Sequence, residues 1–195
     1  MRLWTIQPPE VMHILEKNGE FTCDTKLSKN YKDFYDAYLW LVQQMDNKNI
    51  YHPKNLELPL WAWHTFDGKH AELDLENGQF GIPNKSYVCI EFEISEKDVL
   101  LSDYNAWHYV LNNSWNDDST NEEEWEKMQD EFDKLDAETK QKLREKSWQK
   151  IFDIEKRKSD WNSNGYYVQA TFWKLETSMI RKVRYFTEKD TEEEE

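Results

Sequence analysis

The sequence predicts an α+β fold, in which a mixed, mostly antiparallel sheet packs against helices and a charged helical hairpin is added. Two apolar periodicities carry this prediction. Apolar and polar residues alternate from Tyr87 to Ile94, as in a strand, and apolar residues recur at helical spacing from Asp33 to Met45. Strands and helices do not alternate strictly, which favours α+β over α/β. The 195 residues suffice for one domain, predicted over 1–187, with an acidic disordered tail at 188–195.

The first half of the chain is predicted to form two strands and two helices. Leu3 to Ile6 alternate as a strand, which Pro8-Pro9 ends. Pro9 suits the first position of a helix, and Asn18-Gly19 is a signal for its end. The remaining elements are a helix at Asp33–Met45, a strand at Leu58–Phe66 and a turn at Asp67-Gly68.

The second half begins with the alternating strand, which carries Glu91 and Glu93 on one face and apolar residues on the other. That polar face is either solvated or presents a carboxylate pair able to bind a metal or orient a ribose. The later elements are a strand at Val99–Leu101, a short helix capped by Ser102 or Asp103, a hairpin at about 119–159, and strands at Tyr166–Leu175 and Ile180–Phe186.

The predicted hairpin separates its charges. Residues 122–138 hold nine acids and two bases, and residues 140–158 hold eight bases and three acids. Thr120 and Glu123 have the spacing of a capping box, and Asp136 can cap the second helix. The two helices would attract each other if antiparallel. Alternatively, the basic helix holds an anionic ligand that the acidic helix occludes.

Composition excludes several classes of function. The net charge of −14 opposes binding to nucleic-acid backbones and to anionic membranes, and it suits either a basic partner or simple solubility. No apolar run approaches the roughly 18 residues that span a bilayer. Two cysteines, Cys23 and Cys89, provide no disulfide framework and no metal cluster. We therefore expect a soluble cytoplasmic protein.

Ten tryptophans are the most distinctive feature of the composition, because several lie within short sequence motifs. These motifs resemble those of a bacterial and phage family known as domain of unknown function 3841. The matching motifs, in order, are Leu3–Gln7, Trp61–Trp63, Ile90–Ile94, Leu100–Asn112, Ser147–Asp153 and Gln169–Leu175. The resemblance spans nearly the whole chain and implies no assigned reaction.

The opening strand, short helix and Asn18-Gly19 also resemble, more loosely, the start of ADP-ribosyltransferase-like domains. That resemblance implies NAD as a cofactor, a polar first-strand residue that holds it, and a glutamate on a late strand. The first-strand candidates are Thr5 and Gln7. The late strand offers Gln169 and Thr171 instead of glutamate, so the carboxylate would come from Glu91, Glu93 or Glu176.

The candidate site residues combine these indications. We assign His108 and Gln169 as catalytic, and no residue as a metal ligand. Histidine titrates near neutral pH, tryptophan stacks on planar rings, and amides hydrogen-bond to ring edges. The predicted ligand-binding residues are Thr5, Gln7, Trp63, His64, Asp103 and Asn112. The alternatives are that Asp103 only caps a helix and that the tryptophans only fill the core.

The predicted function is therefore binding of a nucleotide-like small molecule, NAD or a relative, in a cleft lined by Trp, His and Gln, with an ADP-ribosyltransferase-like activity as its enzymatic form. The alternative is a non-enzymatic acidic protein, a regulator or viral inhibitor, that engages a basic protein partner. A third reading is an accessory protein whose tryptophans are all core.

Overall fold

The computed structural model describes residues 1–24, 33–76, 79–157, 161 and 163–189. Within them the architecture is α+β, as predicted, with five α-helices and two antiparallel sheets. The strands are β1 Arg2–Gln7, β2 Glu20–Thr22, β3 Leu60–Thr65, β4 Ser86–Glu93, β5 Leu100–Asp103, β6 Val168–Phe172, β7 Lys174–Glu176 and β8 Ile180–Thr187. The helices are α1 Glu10–Asn18, α2 Tyr35–Asn47, α3 Tyr104–Leu111, α4 Glu122–Asp133 and α5 Ala137–Ser147.

The main sheet has six strands in the order β5-β6-β3-β1-β4-β8, and every neighbouring pair is antiparallel. A mostly antiparallel sheet was predicted and is confirmed, and within the described residues every pair is antiparallel. The first strand lies near the centre, where Trp4 opposes Trp63 of β3 on one side and Glu91 of β4 on the other. Directly opposed residues share a face of the sheet, so this register fixes which side chains can meet.

The two faces of the main sheet have different coverings. On one, the α1 face, Leu3, Ile90 and Phe92 are fully buried with Val11 and Leu15 of α1. The opposite face, here called the aromatic face, carries two further apolar clusters. One contains residues of α2 and α3 together with a 3-10 helix at Trp148–Phe152, and the other surrounds Trp4.

Most local signals near the N-terminus are confirmed. Helix α1 begins at Glu10, so Pro9, predicted to be its first residue, is instead its N-cap. The predicted end is confirmed: Gly19 follows the last helical residue, Asn18, has a left-handed φ of 77° and donates its N–H to the Leu15 carbonyl. The predicted Asp67-Gly68 turn has φ values of 48° and 68°. The second helix starts and ends two residues later than predicted, at Tyr35 and Asn47. Boundary shifts of this size are usual, because helix ends depend on tertiary contacts.

The helical hairpin is present, with a cap one residue beyond the predicted one. Asn121, not Thr120, accepts from the N–H of Glu124, whose carboxylate returns to the Thr120 N–H. Asp136 caps α5 as predicted. Cross-helix attraction is modest, because within the described residues the ion pair between the two helices is Lys140 with Asp133, at the connecting turn. On α4, Phe132 is buried and Trp125 is exposed, and Leu135, in the turn that follows α4, is also exposed.

The C-terminal strand extends one residue further than predicted, to Thr187. Glu188, assigned by sequence to the disordered tail, is buried, and its carboxylate accepts from the Phe80 N–H at 2.9 Å. Lys189 is exposed, and residues 190–195 of the predicted tail lie outside the described residues. Among the described residues, no helix has the length and apolar character needed to cross a membrane.

Candidate functional site

A row of polar side chains lies on the aromatic face of β5 and β6, and all of them are buried except Gln169, which is half-buried. Gln169 and Thr171 project from this face, and Trp173 follows at the same spacing into the apolar cluster there. Ser102 of β5 lies directly opposite Gln169. These four residues are called the β6 polar row. Each has a buried polar atom without a hydrogen-bond partner in the described part of the chain: Ser102 Oγ, Gln169 Oε1, Thr171 Oγ1 and Trp173 Nε1.

The row lies in the interior of the sheet, and the apolar cluster that contains residues of α2 and α3 packs on its face. Strand β6 pairs with β3 on one side and β5 on the other, so neither edge is open. Its opposite face carries Ala170 and Phe172, both fully buried in the α1 face cluster. An unpartnered buried polar group costs about 1–3 kcal/mol. Buried groups of this kind normally bond to ordered water or a bound molecule.

Aromatic rings stand beside the polar row. Trp61 opposes Thr171 and Trp63 opposes Gln169 across the β3–β6 ladder. The ring centroid of Trp61 is 5.4 Å from that of Trp107, and the centroid of Trp63 is 5.2 Å from that of Tyr104. These four rings are called the aromatic wall. Ring faces beside unpaired donors and acceptors are the elements that recognise a planar heterocycle.

Thr5 and Gln7 do not reach this region. They oppose Ile90 and Val88 of the α1 face, on the other side of the sheet from Trp63. Thr5 Oγ1 donates to the Trp61 carbonyl at 2.7 Å, and Gln7 Nε2 donates to Thr5 Oγ1 at 2.8 Å. The structure therefore does not bring the predicted first-strand and late-strand residues into one cleft.

Asp103 is buried and has both carboxylate oxygens engaged. Oδ1 accepts from the Ala106 N–H at 2.8 Å and caps α3, while Oδ2 accepts from the Gly165 N–H at 2.7 Å. The predicted helix cap is therefore present, and the carboxylate also holds the Gly165 segment. This carboxylate fixes the end of β5 and so positions Ser102, its neighbour.

His108 and Asn112 lie on the exposed side of α3. His108 Nδ1 is 3.0 Å from the Tyr104 carbonyl, and Asn112 Nδ2 donates to the His108 carbonyl at 2.8 Å. The His108 ring contacts the Tyr104 ring edge-on at 4.8 Å. Tyr104 also contacts Trp63, so His108 touches the aromatic wall at its Tyr104 ring.

His64 belongs to a separate histidine pair. Its ring stacks on His70 with centroids 4.2 Å apart, and its Nδ1 is 2.9 Å from Thr65 Oγ1. Burial lowers the pKa of His64 to about 4, assisted by the nearby His70 and the N-terminal ammonium. His64 is therefore neutral at pH 7.

The three glutamates considered as late-strand carboxylates all have partners. Buried Glu91 accepts from Trp4 Nε1 at 3.2 Å and pairs with Arg2, so its face of β4 is not simply solvated. Hydrogen bonds from Arg181 and Arg2 lower the pKa of Glu93. A bond from Lys174 lowers the pKa of Glu176. Within the described residues, no three His, Cys, Asp or Glu side chains cluster as metal ligands.

Of the predicted site residues, Trp63 and Gln169 are therefore adjacent, and Asp103 supports the neighbouring Ser102. Ser102, Trp173 and Tyr104 were missed as site residues. One signal for them was available, since Gln169, Thr171 and Trp173 alternate with the apolar Ala170 and Phe172. Polar residues at alternate positions ordinarily indicate a strand face that is exposed to solvent. The same pattern in a strand that is covered on both faces is therefore easily misinterpreted.

Fold and site together define an α+β protein whose antiparallel sheet buries a polar row beneath an aromatic wall. The family described as domain of unknown function DUF3841 matches residues 2–181, and the chain belongs to this family. No curated protein and no solved structure matches the chain. The looser resemblance to ADP-ribosyltransferase-like domains stays a prediction.

Proposed function

We propose that this protein binds a neutral planar heterocycle, such as a nucleobase or a nicotinamide ring, at the β6 polar row. One observation carries the proposal: Ser102, Gln169 and Thr171 lie together on the inner face of two paired strands, each with an unpartnered buried polar atom. Polar atoms in such positions lower stability unless something bonds to them.

The chemistry of the row selects the ligand. The Gln169 carbonyl accepts a hydrogen bond, the two hydroxyls donate or accept, and the Trp173 indole donates. Trp61 and Trp63 offer ring faces for stacking. The row contains no ionised side chain, and both oxygens of neighbouring Asp103 are already bonded, so a neutral ring suits it better than a charged one.

NAD is the form of this ligand that the looser resemblance suggests. In that form Gln169 would hold the carboxamide of the nicotinamide. His108, the predicted acid or base, contacts Tyr104 and not Trp63 or Gln169, so its participation requires a ligand that reaches beyond the polar row to the Tyr104 ring. The binding assay should therefore include NAD and monitor nicotinamide release.

Two threonines allow a matched test. Thr171 and Thr5 lie in the same sheet and are both buried, but the Thr5 hydroxyl is bonded and the Thr171 hydroxyl is not. We expect Thr171→Val to stabilise the free protein by about 1–3 kcal/mol and to abolish ligand binding. Thr5→Val should cost about 1 kcal/mol and leave binding unchanged.

The measurement is a thermal-shift screen with adenosine, guanosine, nicotinamide, NAD and ADP-ribose, followed by calorimetry. A hundredfold excess over Kd stabilises the folded state by about 2.7 kcal/mol. Absence of binding by every compound, or equal binding by wild type and Thr171→Val, would refute the proposal.

The acidic helix α4 supports a second candidate function, the binding of a basic protein partner. Trp125 is 44% exposed and lies beside Glu122, Glu123 and Glu124 at the start of the helix. Exposed tryptophans are frequent energetic anchors of interfaces. Trp125→Ala and neutralisation of the three glutamates should abolish capture of a basic partner and leave heterocycle binding intact. Unchanged capture would exclude this surface.

A further inference from the structure

A concave region lies between helices and does not include the residues of the β6 polar row. It is an open cleft of about 570 Å³, lined by the first turn of α2, the C-terminal end of α3 and one side of α5. This volume lies within the range of small-molecule sites. The lining residues that matter here are Trp40, Trp148, Asp33, Asp36, Gln141 and Glu145.

The aromatic side of the cleft is held in place. The Trp40 ring meets Trp148 edge-on at 5.5 Å and stacks on Phe152 at 5.9 Å with an interplanar angle of 9°. Trp148 is 6% exposed, and its Nε1 donates to the Ser114 carbonyl at 2.8 Å. The two indoles therefore present a preorganised apolar wall.

The polar side of the cleft has one sign of charge. Asp33, Asp36 and Glu145 line it, and no lysine or arginine appears among the lining residues in the described part of the chain. Gln141 Nε2 donates to Glu145 Oε1 at 3.0 Å and so orients that carboxylate. Aromatic faces combined with carboxylates attract cations and repel anions.

The same aromatic stack already contacts a cation from another side. The Lys48 ammonium lies 4.6 Å from the ring centroid of Phe152, whose ring stacks on Trp40. This contact is independent of the acidic residues of the cleft. It shows an alkylammonium group at cation–π distance from Phe152, the ring on which Trp40 stacks.

We propose that this cleft binds an organic cation, an alkylammonium or guanidinium group whose methylene stem lies on Trp40 and Trp148 while its charge faces Asp36 and Glu145. The source of such a group is either a free polyamine or a Lys or Arg side chain of a peptide. This site is separate from the heterocycle site, and neither proposal depends on the other.

The test uses the full chain and calorimetry with three probes: spermidine, a short Arg- and Lys-containing peptide, and a neutral diol of comparable length. We expect at least one cation to bind and the diol not to bind. The matched variants are Glu145→Gln and Glu138→Gln, both on α5, because Glu138 pairs with Lys142 and does not line the cleft.

Glu145→Gln should weaken cation binding roughly tenfold, and Glu138→Gln should leave it within about twofold. Thr171→Val should leave it unchanged, which separates this site from the heterocycle site. Tighter binding of spermidine would identify a polyamine as the source, and tighter binding of the peptide would identify a protein. Binding by neither cation, equal binding of the diol, or equal weakening in both glutamine variants would overturn the proposal.

Discussion

Lowering the pH should destabilise this protein through His64. Its pKa is about 4 in the folded protein, against an ordinary value of 6.5. Between these two pKa values, His64 is protonated in the unfolded chain but neutral in the folded protein. The free energy of unfolding therefore falls as the pH drops from 6.5 towards 4. Because pH 5 lies about 1.5 pH units below the ordinary histidine pKa, the free energy of unfolding lost by that pH is at most about 2 kcal/mol.

Urea unfolding followed by tryptophan fluorescence at pH 7.5 and pH 5.0 measures this loss. The His64→Gln variant lacks the titrating group. Between pH 7.5 and pH 5.0, its free energy of unfolding should therefore fall by about 2 kcal/mol less than that of the wild type. His13→Gln, at an exposed position of α1, should behave as the wild type. The reasoning fails if wild type and His64→Gln lose the same stability. Carboxylates with lowered pKa values, such as Glu93, contribute mainly below pH 4.5 and do not obscure the comparison.

Three further predictions concern stability, each measured by urea unfolding at pH 7.5. Asp103→Ala should cost about 2–4 kcal/mol, because it removes a helix cap and the acceptor of the Gly165 N–H; a cost below about 1 kcal/mol would contradict the assigned role. Gly165→Ala should lower the free energy of unfolding more than Gly19→Ala does. Both glycines have left-handed φ values, but only a Cβ at Gly165 would lie 2.6 Å from the Ile154 carbonyl oxygen. Equal losses in the two variants would contradict this contact. Phe92→Ala should cost about 3–5 kcal/mol, since this side chain is fully buried, whereas an exposed truncation such as Tyr185→Ala should cost little.

Local signals predicted much of the fold. The end of α1 at Gly19, the cap of α3 by Asp103 and the alternation of β4 each depend on a few neighbouring residues, whose chemistry is visible in the sequence. The buried Glu91 was less accessible to such reasoning. Alternation separates two faces of a strand, but it does not indicate that a central strand is covered on both, or that Trp4 and Arg2 supply partners for a carboxylate.

The composition of the candidate site was harder to predict, because it depends on the register between distant strands. Thr5 and Trp63 both occur in tryptophan-containing motifs of central strands, and the sequence alone permits their side chains to share a cleft. The observed register opposes Trp4, not Thr5, to Trp63, and a shift of one residue exchanges every side chain between the faces. Gln7 is excluded from the aromatic wall for the same reason.

Packing alone gives no reason for the hydroxyl of Thr171. The side chain is fully buried, its neighbours across the ladders are Trp61 and Leu100, and valine would fill nearly the same volume without an unpartnered polar atom. The same argument applies to Ser102, which is also fully buried and would be replaced by alanine with no loss of packing. A strand that holds such groups at successive inward positions gives up stability at each of them. Binding of a ligand that donates to Gln169 and bonds to both hydroxyls would recover that free energy, and this is why we propose β6, rather than the tryptophans alone, as the ligand site.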